Sequence, residues 1–320
     1  MTGTDGRTVL ITGAAGFLGS HLVDRWLALG WQVIGLDNLS TGRDGNLVQA
    51  RKSTRFVLRK ADLVESVDLP AAETFLHFAS PASPPTYQRV PIGTLRVNSI
   101  GAFNVLEAAR KNDATVVLAS TSEVYGDPEV SPQPEDYFGH VNPIGIRSCY
   151  DEGKRFAEAM GVAFQRTYGL DVRIVRIFNT YGPRMDPADG RVISNFVVQA
   201  LRGEPLTVYG DGHQTRSFCY VSDLVRGIEL VALKDPAPPT PINLGNPVEV
   251  TILDVASLVS KLAGVPVRTK EFPAPEGDPR QRCPDISAAR QRLGWKPEVP
   301  LEQGLVETIR YFREELAGEK

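Results

Sequence analysis

The sequence predicts an α/β protein: a doubly wound parallel Rossmann sheet with a smaller C-terminal substrate-binding region. Over the first 180 residues, short β-branched apolar runs alternate with longer helical stretches. A glycine-rich turn follows the first of these runs, as in sheets that bind dinucleotides. Beyond residue 180, prolines and glycines interrupt this alternation of strands and helices, for example at Gly182-Pro183. These three observations predict a sheet domain followed by a less regular region.

The elements follow from the length and composition of each run. Strands that are buried in a parallel sheet read as short apolar runs, and these occur at residues 8–12, 32–36, 55–58, 74–79, 115–120 and 172–178. Helices are predicted at residues 20–29, 92–111, 150–168 and 302–317. The predicted domains are residues 1–180, rejoined by part of 214–250, and a region made mainly of residues 181–320.

Composition narrows the class of protein. The 320 residues carry 35 Lys plus Arg and 38 Asp plus Glu, a net charge of −3, which gives no bulk attraction to nucleic acid or anionic membrane. Three cysteines and four histidines lack the spacing of a disulfide framework or a metal site. No apolar run approaches the roughly 20 residues of a membrane span, and the polar N-terminus does not read as a signal peptide. We therefore expect a cytoplasmic protein without a metal, a nucleic-acid partner or a membrane partner.

A dinucleotide site is predicted after the first strand. Gly13, Gly16 and Gly19 are spaced G-x-x-G-x-x-G, which permits a tight turn and lets backbone N–H groups reach a pyrophosphate. Asp37 follows the second strand, where a carboxylate binds ribose hydroxyls and repels a 2′-phosphate, so NAD is favoured over NADP despite nearby Arg43. The alternative is a structural turn with a surface aspartate. The candidate cofactor-binding residues are Gly13, Gly16, Phe17, Leu18, Gly19, Asp37, Asn38, Ser40, Thr41, Gly42, Asp62 and Leu63, with Tyr150 and Lys154.

A catalytic group is predicted where the fifth strand meets the third helix. Tyr150 and Lys154 are four residues apart, so they share one helix face. A tyrosine with a pKa near 10 is a poor base at neutral pH, but an ammonium and a positive nicotinamide ring both favour the phenolate. Tyr150 would then remove the proton of a substrate hydroxyl, and Thr121 offers its own hydroxyl to that same oxygen. Ser122 and Glu123 are close enough for a second proton transfer. The alternatives are an exposed helix pair and a loop carboxylate in a salt bridge.

The whole chain resembles the extended short-chain dehydrogenase/reductases, through the glycine loop and the Tyr150/Lys154 pair. Longer segments resemble the UDP-glucuronate decarboxylases within that family, namely residues 79–85, 121–126, 140–145, 150–155 and 178–185. Ile146 stands where these enzymes usually have proline, and we expect little effect from this departure.

The resemblance implies a reaction on UDP-glucuronate. NAD would take a hydride from C4 while Tyr150 removes the hydroxyl proton. The resulting β-keto acid would lose CO₂, the enolate left behind would take a proton at C5, and return of the hydride to C4 would yield UDP-xylose. The resemblance also implies a homodimer and places the nucleotide sugar in the C-terminal region. The implied substrate-binding residues are Arg96, Asn179, Arg191, Arg216 and Arg282, of which Arg282 would meet the substrate carboxylate and join Thr121, Ser122, Glu123, Tyr150 and Lys154 as catalytic.

Three other functions remain open from the sequence. A 4-epimerase of UDP-glucuronate or UDP-glucose is the nearest alternative, although such enzymes usually carry Ser, Ala or Thr at position 123. A 4,6-dehydratase is disfavoured because its Asp-Glu pair is replaced by Ser122-Glu123. A non-catalytic dinucleotide sensor is disfavoured because Tyr150 and Lys154 are both present.

Overall fold

The computed structural model describes residues 6–65, 68–274, 277, 279 and 281–318. The strands are β1 (Thr8–Thr12), β2 (Gln32–Asp37), β3 (Phe56–Lys60), β4 (Thr74–His77), β5 (Thr115–Thr121), β6 (Val172–Ile177), β7 (Thr180–Tyr181), β8 (Leu206–Tyr209), β9 (Thr215–Ser217), β10 (Cys219–Tyr220), β11 (Ile242–Leu244), β12 (Glu249–Thr251) and β13 (Thr269–Phe272). The α-helices are α1 (Phe17–Ala28), α2 (Pro84–Arg89), α3 (Pro91–Arg96), α4 (Ala102–Lys111), α5 (Ser148–Tyr168), α6 (Val192–Arg202), α7 (Val221–Leu233), α8 (Ile252–Ala263), α9 (Ser287–Leu293) and α10 (Leu301–Gly318).

The central feature is a parallel sheet whose seven described strands run in the order β3-β2-β1-β4-β5-β6-β11. This confirms the predicted Rossmann class, since the chain order reverses direction between β1 and β4. Each of the six predicted strands is present with ends within two residues of the prediction. The seventh strand, β11, comes from the C-terminal half and pairs with β6, placing Ile242 opposite Val175.

Helices cover both faces of this sheet, which is why its central strands are almost wholly apolar. Successive side chains of β1 point to opposite faces. Val9 packs with α1 and α7 through residues such as Trp26 and Ile228. Leu10 packs on the other face with α4 and α5, for example against Val105.

The predicted long helix at residues 92–111 is interrupted. It consists of α3, a π-helical turn over Val97–Gly101 and α4. Asn98 lies in this turn, and its side-chain amide donates to the carbonyl of Thr94 at 2.9 Å and to Ser80 Oγ at 3.0 Å. The turn therefore ties the helix to the loop that follows β4.

A second core forms in the C-terminal half, where α6, α8 and α10 pack around β8. The described strands outside the main sheet form three short two-stranded sheets, β7-β10, β9-β12 and β8-β13. Within the residues that the structure describes, no helix combines the length and apolar character of a membrane span. The same residues contain no cluster of His, Cys, Asp or Glu suited to a metal ion.

Candidate active site

A cavity of about 560 Å³ lies between the carboxyl ends of the sheet strands and the C-terminal core. Ligands of open α/β sheets bind at this edge. Most of the predicted site residues line this one cavity: Gly13, Gly16, Phe17, Leu18, Gly19, Thr41, Thr121, Ser122, Glu123, Tyr150, Lys154, Asn179, Arg191, Arg216 and Arg282. Residues from distant parts of the sequence are thus brought to a single site.

The glycine loop between β1 and α1 has no room for a side chain at Gly13 or Gly19. Gly13 has φ +70°, and a Cβ there would lie 2.8 Å from the backbone nitrogen of Ala79. A Cβ on Gly19 would lie 1.9 Å from the carbonyl oxygen of Gly13. The tight turn leaves the N-terminus of α1 facing the cavity, which suits the pyrophosphate of a dinucleotide.

Asp37 at the end of β2 is fixed against this loop. Its Oδ2 accepts from the backbone N–H of Ala15 at 2.9 Å and its Oδ1 from that of Leu39 at 2.7 Å. Burial raises the pKa of Asp37, and these two amides partly oppose the change. The other predicted cofactor residues lie beside it at the ends of β2 and β3, outside the cavity lining, and are Asn38, Ser40, Gly42, Asp62 and Leu63. The Asn38 side chain donates to Asp62 at 3.0 Å.

Tyr150 and Lys154 are both buried on the inward face of α5. The Thr121 hydroxyl lies close enough to Tyr150 to lower the pKa of its phenol, and Lys154 Nζ donates to the carbonyl of Ala119 at 2.9 Å. Burial raises the pKa of Tyr150, while Thr121 and the nearby Arg191 cation act in the opposite direction. Burial lowers the pKa of Lys154 to about 8, and Glu158 opposes it. The ammonium lies 5.8 Å from the centroid of the Tyr150 ring.

Glu123 lies between two guanidinium groups. Arg282 Nη1 donates to Glu123 Oε1 at 2.8 Å and to Ser122 Oγ at 2.9 Å, and its Nη2 donates to the carbonyl of Gly126 at 3.1 Å. Arg147 Nη2 donates to Glu123 Oε2 at 2.6 Å. Burial by itself would raise the pKa of Glu123, but the two cations outweigh it and hold this pKa at about 2. Glu123 is therefore an anion at neutral pH.

Three residues of this cluster were missed by the sequence reasoning. Arg147 is the second partner of Glu123, and its spacing of three residues from Tyr150 at the start of α5 was an available signal. The ring of Tyr87 stacks on Tyr150 with centroids 5.0 Å apart. Asp151 is a second buried carboxyl group of this cluster, and its pKa is raised to about 7 by burial and by the charge of Glu123. Because Asp151 is partly protonated at neutral pH, the cluster keeps an excess of positive charge that suits an anionic group.

The C-terminal side of the cavity carries further cations. Arg191 pairs with Asp189, with Nε at 2.5 Å from Oδ1. Arg216 is buried and donates to the carbonyl of Pro279 at 2.6 Å. Asn179, two residues after the end of β6, also lines the cavity. These residues could meet the phosphates of a nucleotide.

Arg96 is not at the site. It lies exposed on α3 and does not line the cavity. Thr94 and Asn98 form the buried face of this helical segment. Arg96 lies two residues from each of them, which on a helix points a side chain to the opposite side. Sequence spacing alone did not reveal which face of this helix is buried.

A dinucleotide loop at β1 and a buried Tyr–Lys pair beside the end of β5 define a short-chain dehydrogenase/reductase type of active site. Residues 9–245 match the NAD dependent epimerase/dehydratase family, and the chain belongs to this family. The family resemblance predicted from the sequence is thereby confirmed.

Individual relatives resemble the chain over nearly its whole length. UDP-glucuronic acid decarboxylase 1 of Xenopus tropicalis is 52% identical over 98% of this chain and 73% of its own. UDP-glucuronic acid decarboxylase 4 of Arabidopsis thaliana is 49% identical over 98% of this chain and 70% of its own. Among solved structures, UDP-glucuronic acid 4-epimerase of Bacillus cereus, in complex with UDP-glucuronic acid and NAD, aligns with a TM-score of 0.87 and 28% identity over 96% of this chain and 99% of that one.

Proposed function

We propose that the protein converts UDP-glucuronate to UDP-xylose and CO₂, with NAD regenerated in each turnover. The observation that carries this proposal is the ion pair of Glu123 and Arg282 in the same cavity as Tyr150 and Lys154. Identity of about 50% to UDP-glucuronic acid decarboxylases over nearly the full chain supports it.

The residues of the N-terminal half fit NAD. When bound, NAD accepts a hydride from C4 of the sugar and later returns it. The N–H groups at the start of α1 would hold its pyrophosphate, because glycines leave the backbone open there. Asp37 would accept hydrogen bonds from ribose hydroxyls at the other end of the site.

Tyr150 removes the proton of the C4 hydroxyl through its phenolic oxygen. Because burial raises the pKa of this tyrosine, cations are needed close to it. Lys154 supplies one, since a pKa of about 8 leaves most of its side chain charged at neutral pH. Thr121 lowers the pKa of Tyr150, and its hydroxyl would contact the same substrate oxygen.

The positive cluster around Glu123 serves the substrate carboxylate. Arg147 and Arg282 together exceed the charge of Glu123, so the cluster attracts an anion next to the site of oxidation. Once C4 is a ketone, the electrons left behind when CO₂ departs delocalise into it, and the resulting enolate then takes a proton at C5. Glu123 is held ionised by its two partners, and it therefore acts by orienting Arg282 and, through Arg282, the Ser122 hydroxyl.

A 4-epimerase is the second candidate, favoured by the similarity to UDP-glucuronic acid 4-epimerase. The two reactions give different products from one substrate. Purified protein with NAD and UDP-glucuronate should yield UDP-xylose by NMR together with CO₂, and Tyr150→Phe should abolish both. UDP-galacturonate without CO₂ would reject decarboxylation in favour of epimerisation, and full activity of Tyr150→Phe would reject the catalytic role of that residue.

We also propose a cytoplasmic homodimer. In each subunit, residues 1–180, rejoined by part of 214–250, bind NAD, while residues 181–320 mainly bind the nucleotide sugar.

The dimer interface is proposed on the adjacent helices α3, α4 and α5. They carry exposed apolar side chains, including Ile92, Phe103 and Phe156, which a second copy would cover. Light scattering should give twice the chain mass of 34.9 kDa. Phe156→Asp should halve the measured mass. Val306→Asp, at an exposed position on α10, should leave the measured mass unchanged. A monomeric wild-type protein would reject the dimer.

A further inference from the structure

Two contacts outside the catalytic group join the N-terminal and C-terminal halves at the rim of the cavity. In the first, Arg43 pairs with Glu315 of α10. Arg43 both lines the cavity and is partly exposed, which places it at the rim. Its backbone N–H donates to the carbonyl of Ala15 at 3.0 Å, and the Asn46 side chain donates to the same oxygen at 3.0 Å. The loop after β2 is thus fixed to the glycine loop on one side and to α10 on the other.

The second contact involves α1 itself. Arg184 Nη2 donates to Asp24 Oδ2 at 2.6 Å, and His21 Nε2 lies 3.0 Å from the carbonyl oxygen of Pro183. Arg184 also lines the cavity. Its φ of +68° is unusual for a residue with a side chain, and such a conformation persists where surrounding contacts hold it. Both contacts therefore connect elements around the dinucleotide loop to the C-terminal region.

We propose that the ion pairs Arg43–Glu315 and Arg184–Asp24 act together as a clasp that slows the release of reduced cofactor. The inference rests on the assignment of NAD to the glycine loop. Between the two hydride steps the cofactor is reduced and the sugar is a ketone, so a cofactor that leaves at this stage ends the cycle before its product forms. Because both pairs span the rim, opening the cavity beside the pyrophosphate site requires them to separate. The four residues are positioning residues and are not part of the reacting group.

The direct test is the dissociation rate of NADH, measured by loss of NADH fluorescence after mixing with excess NAD. Glu315→Gln and Asp24→Asn remove one partner of each pair and keep both arginines. Partly exposed ion pairs contribute up to about 1 kcal/mol, so each variant should release NADH about two- to fivefold faster. The double variant should show about the product of the two factors. Glu307→Gln is the matched control, because it breaks the Glu307–Arg310 pair on the outer surface of the same helix, and it should release NADH at the wild-type rate.

Salt dependence separates an ion pair from general loosening of the helix. Higher salt should speed NADH release from the wild type, and by a smaller factor from Glu315→Gln. Release that is unchanged or slower in both single variants would overturn the clasp. Slower release from Glu315→Gln would indicate that Arg43, once freed from Glu315, binds the cofactor phosphates instead. The measurement of the NADH release rate uses no sugar substrate, so its outcome does not depend on which product the enzyme makes.

A second measurement uses UDP-glucuronate. During turnover, the variants should release NADH and keto sugar in a larger fraction of cycles than the wild type, and an unchanged fraction would contradict the proposal.

Discussion

Glu123 should stabilise the folded protein at neutral pH, and Glu123→Gln should remove that stabilisation. Its pKa falls from an ordinary 4.5 to about 2 because Arg282 and Arg147 outweigh the effect of burial. Since each pKa unit corresponds to about 1.36 kcal/mol, the ionised side chain contributes about 3 kcal/mol to the free energy of unfolding at pH 7. A lowered pKa in the folded state means that this contribution is complete above about pH 5 and is lost as the pH falls towards 2.

Urea unfolding of the wild type and of Glu123→Gln at two pH values measures this contribution. The difference between them should be about 3 kcal/mol at pH 7 and about 2 kcal/mol at pH 3.5. Glu135→Gln is the control, because burial raises the pKa of Glu135 and its ionisation therefore opposes folding as the pH rises. Glu135→Gln should therefore be at least as stable as the wild type at pH 7, and the wild type should gain stability relative to it on acidification, the reverse of the trend for Glu123→Gln. If Glu123→Gln is as stable as the wild type at pH 7, the cluster does not hold Glu123 as described.

Three further variants test the site. Arg282→Ala should lower the rate of CO₂ release about 100-fold or more, as expected when a buried charged donor is lost, and leave nucleotide affinity nearly unchanged; equal loss of both would refute its role. Glu158→Gln removes the charge that supports protonated Lys154, so the alkaline limb of the pH–rate profile should move to lower pH, and an unmoved limb would count against this. Gly42→Ala places a Cβ 2.9 Å from both carboxylate oxygens of Asp37. It should weaken NAD binding about tenfold, or roughly 1.4 kcal/mol, and unaltered affinity in a fluorescence titration would show that this contact is not needed.

The strands of the main sheet were predictable where the sequence had a sharp local signal. The run at residues 8–12 is apolar, β-branched and followed by a glycine turn, and it coincides with β1. By contrast, β11 has only three residues, and its pairing with β6 depends on a contact between chain segments about 70 residues apart. The π-helical turn at Val97–Gly101 was also missed, because periodicity predicts a helix without predicting its hydrogen-bond spacing.

The candidate site was predictable where it follows a motif and not where it depends on packing. Tyr150 and Lys154 could be paired from their spacing on one helix. The contact of Arg282 with Glu123 spans 159 residues, and only the family resemblance pointed to it. Arg147 and Asp151 join the same cluster through burial, which a single sequence does not reveal.

The late position of β11 and Arg282 in the chain governs the order in which this protein can mature during synthesis. Until residues 242–244 leave the ribosome, the hydrogen-bonding edge of β6 has no partner from this sheet, and such an edge invites pairing with other chains. Until residue 282 follows, Glu123 lacks its buried guanidinium partner. A nascent chain can therefore form most of the dinucleotide half well before it holds the completed cluster, and only polypeptides that extend beyond residue 282 acquire it.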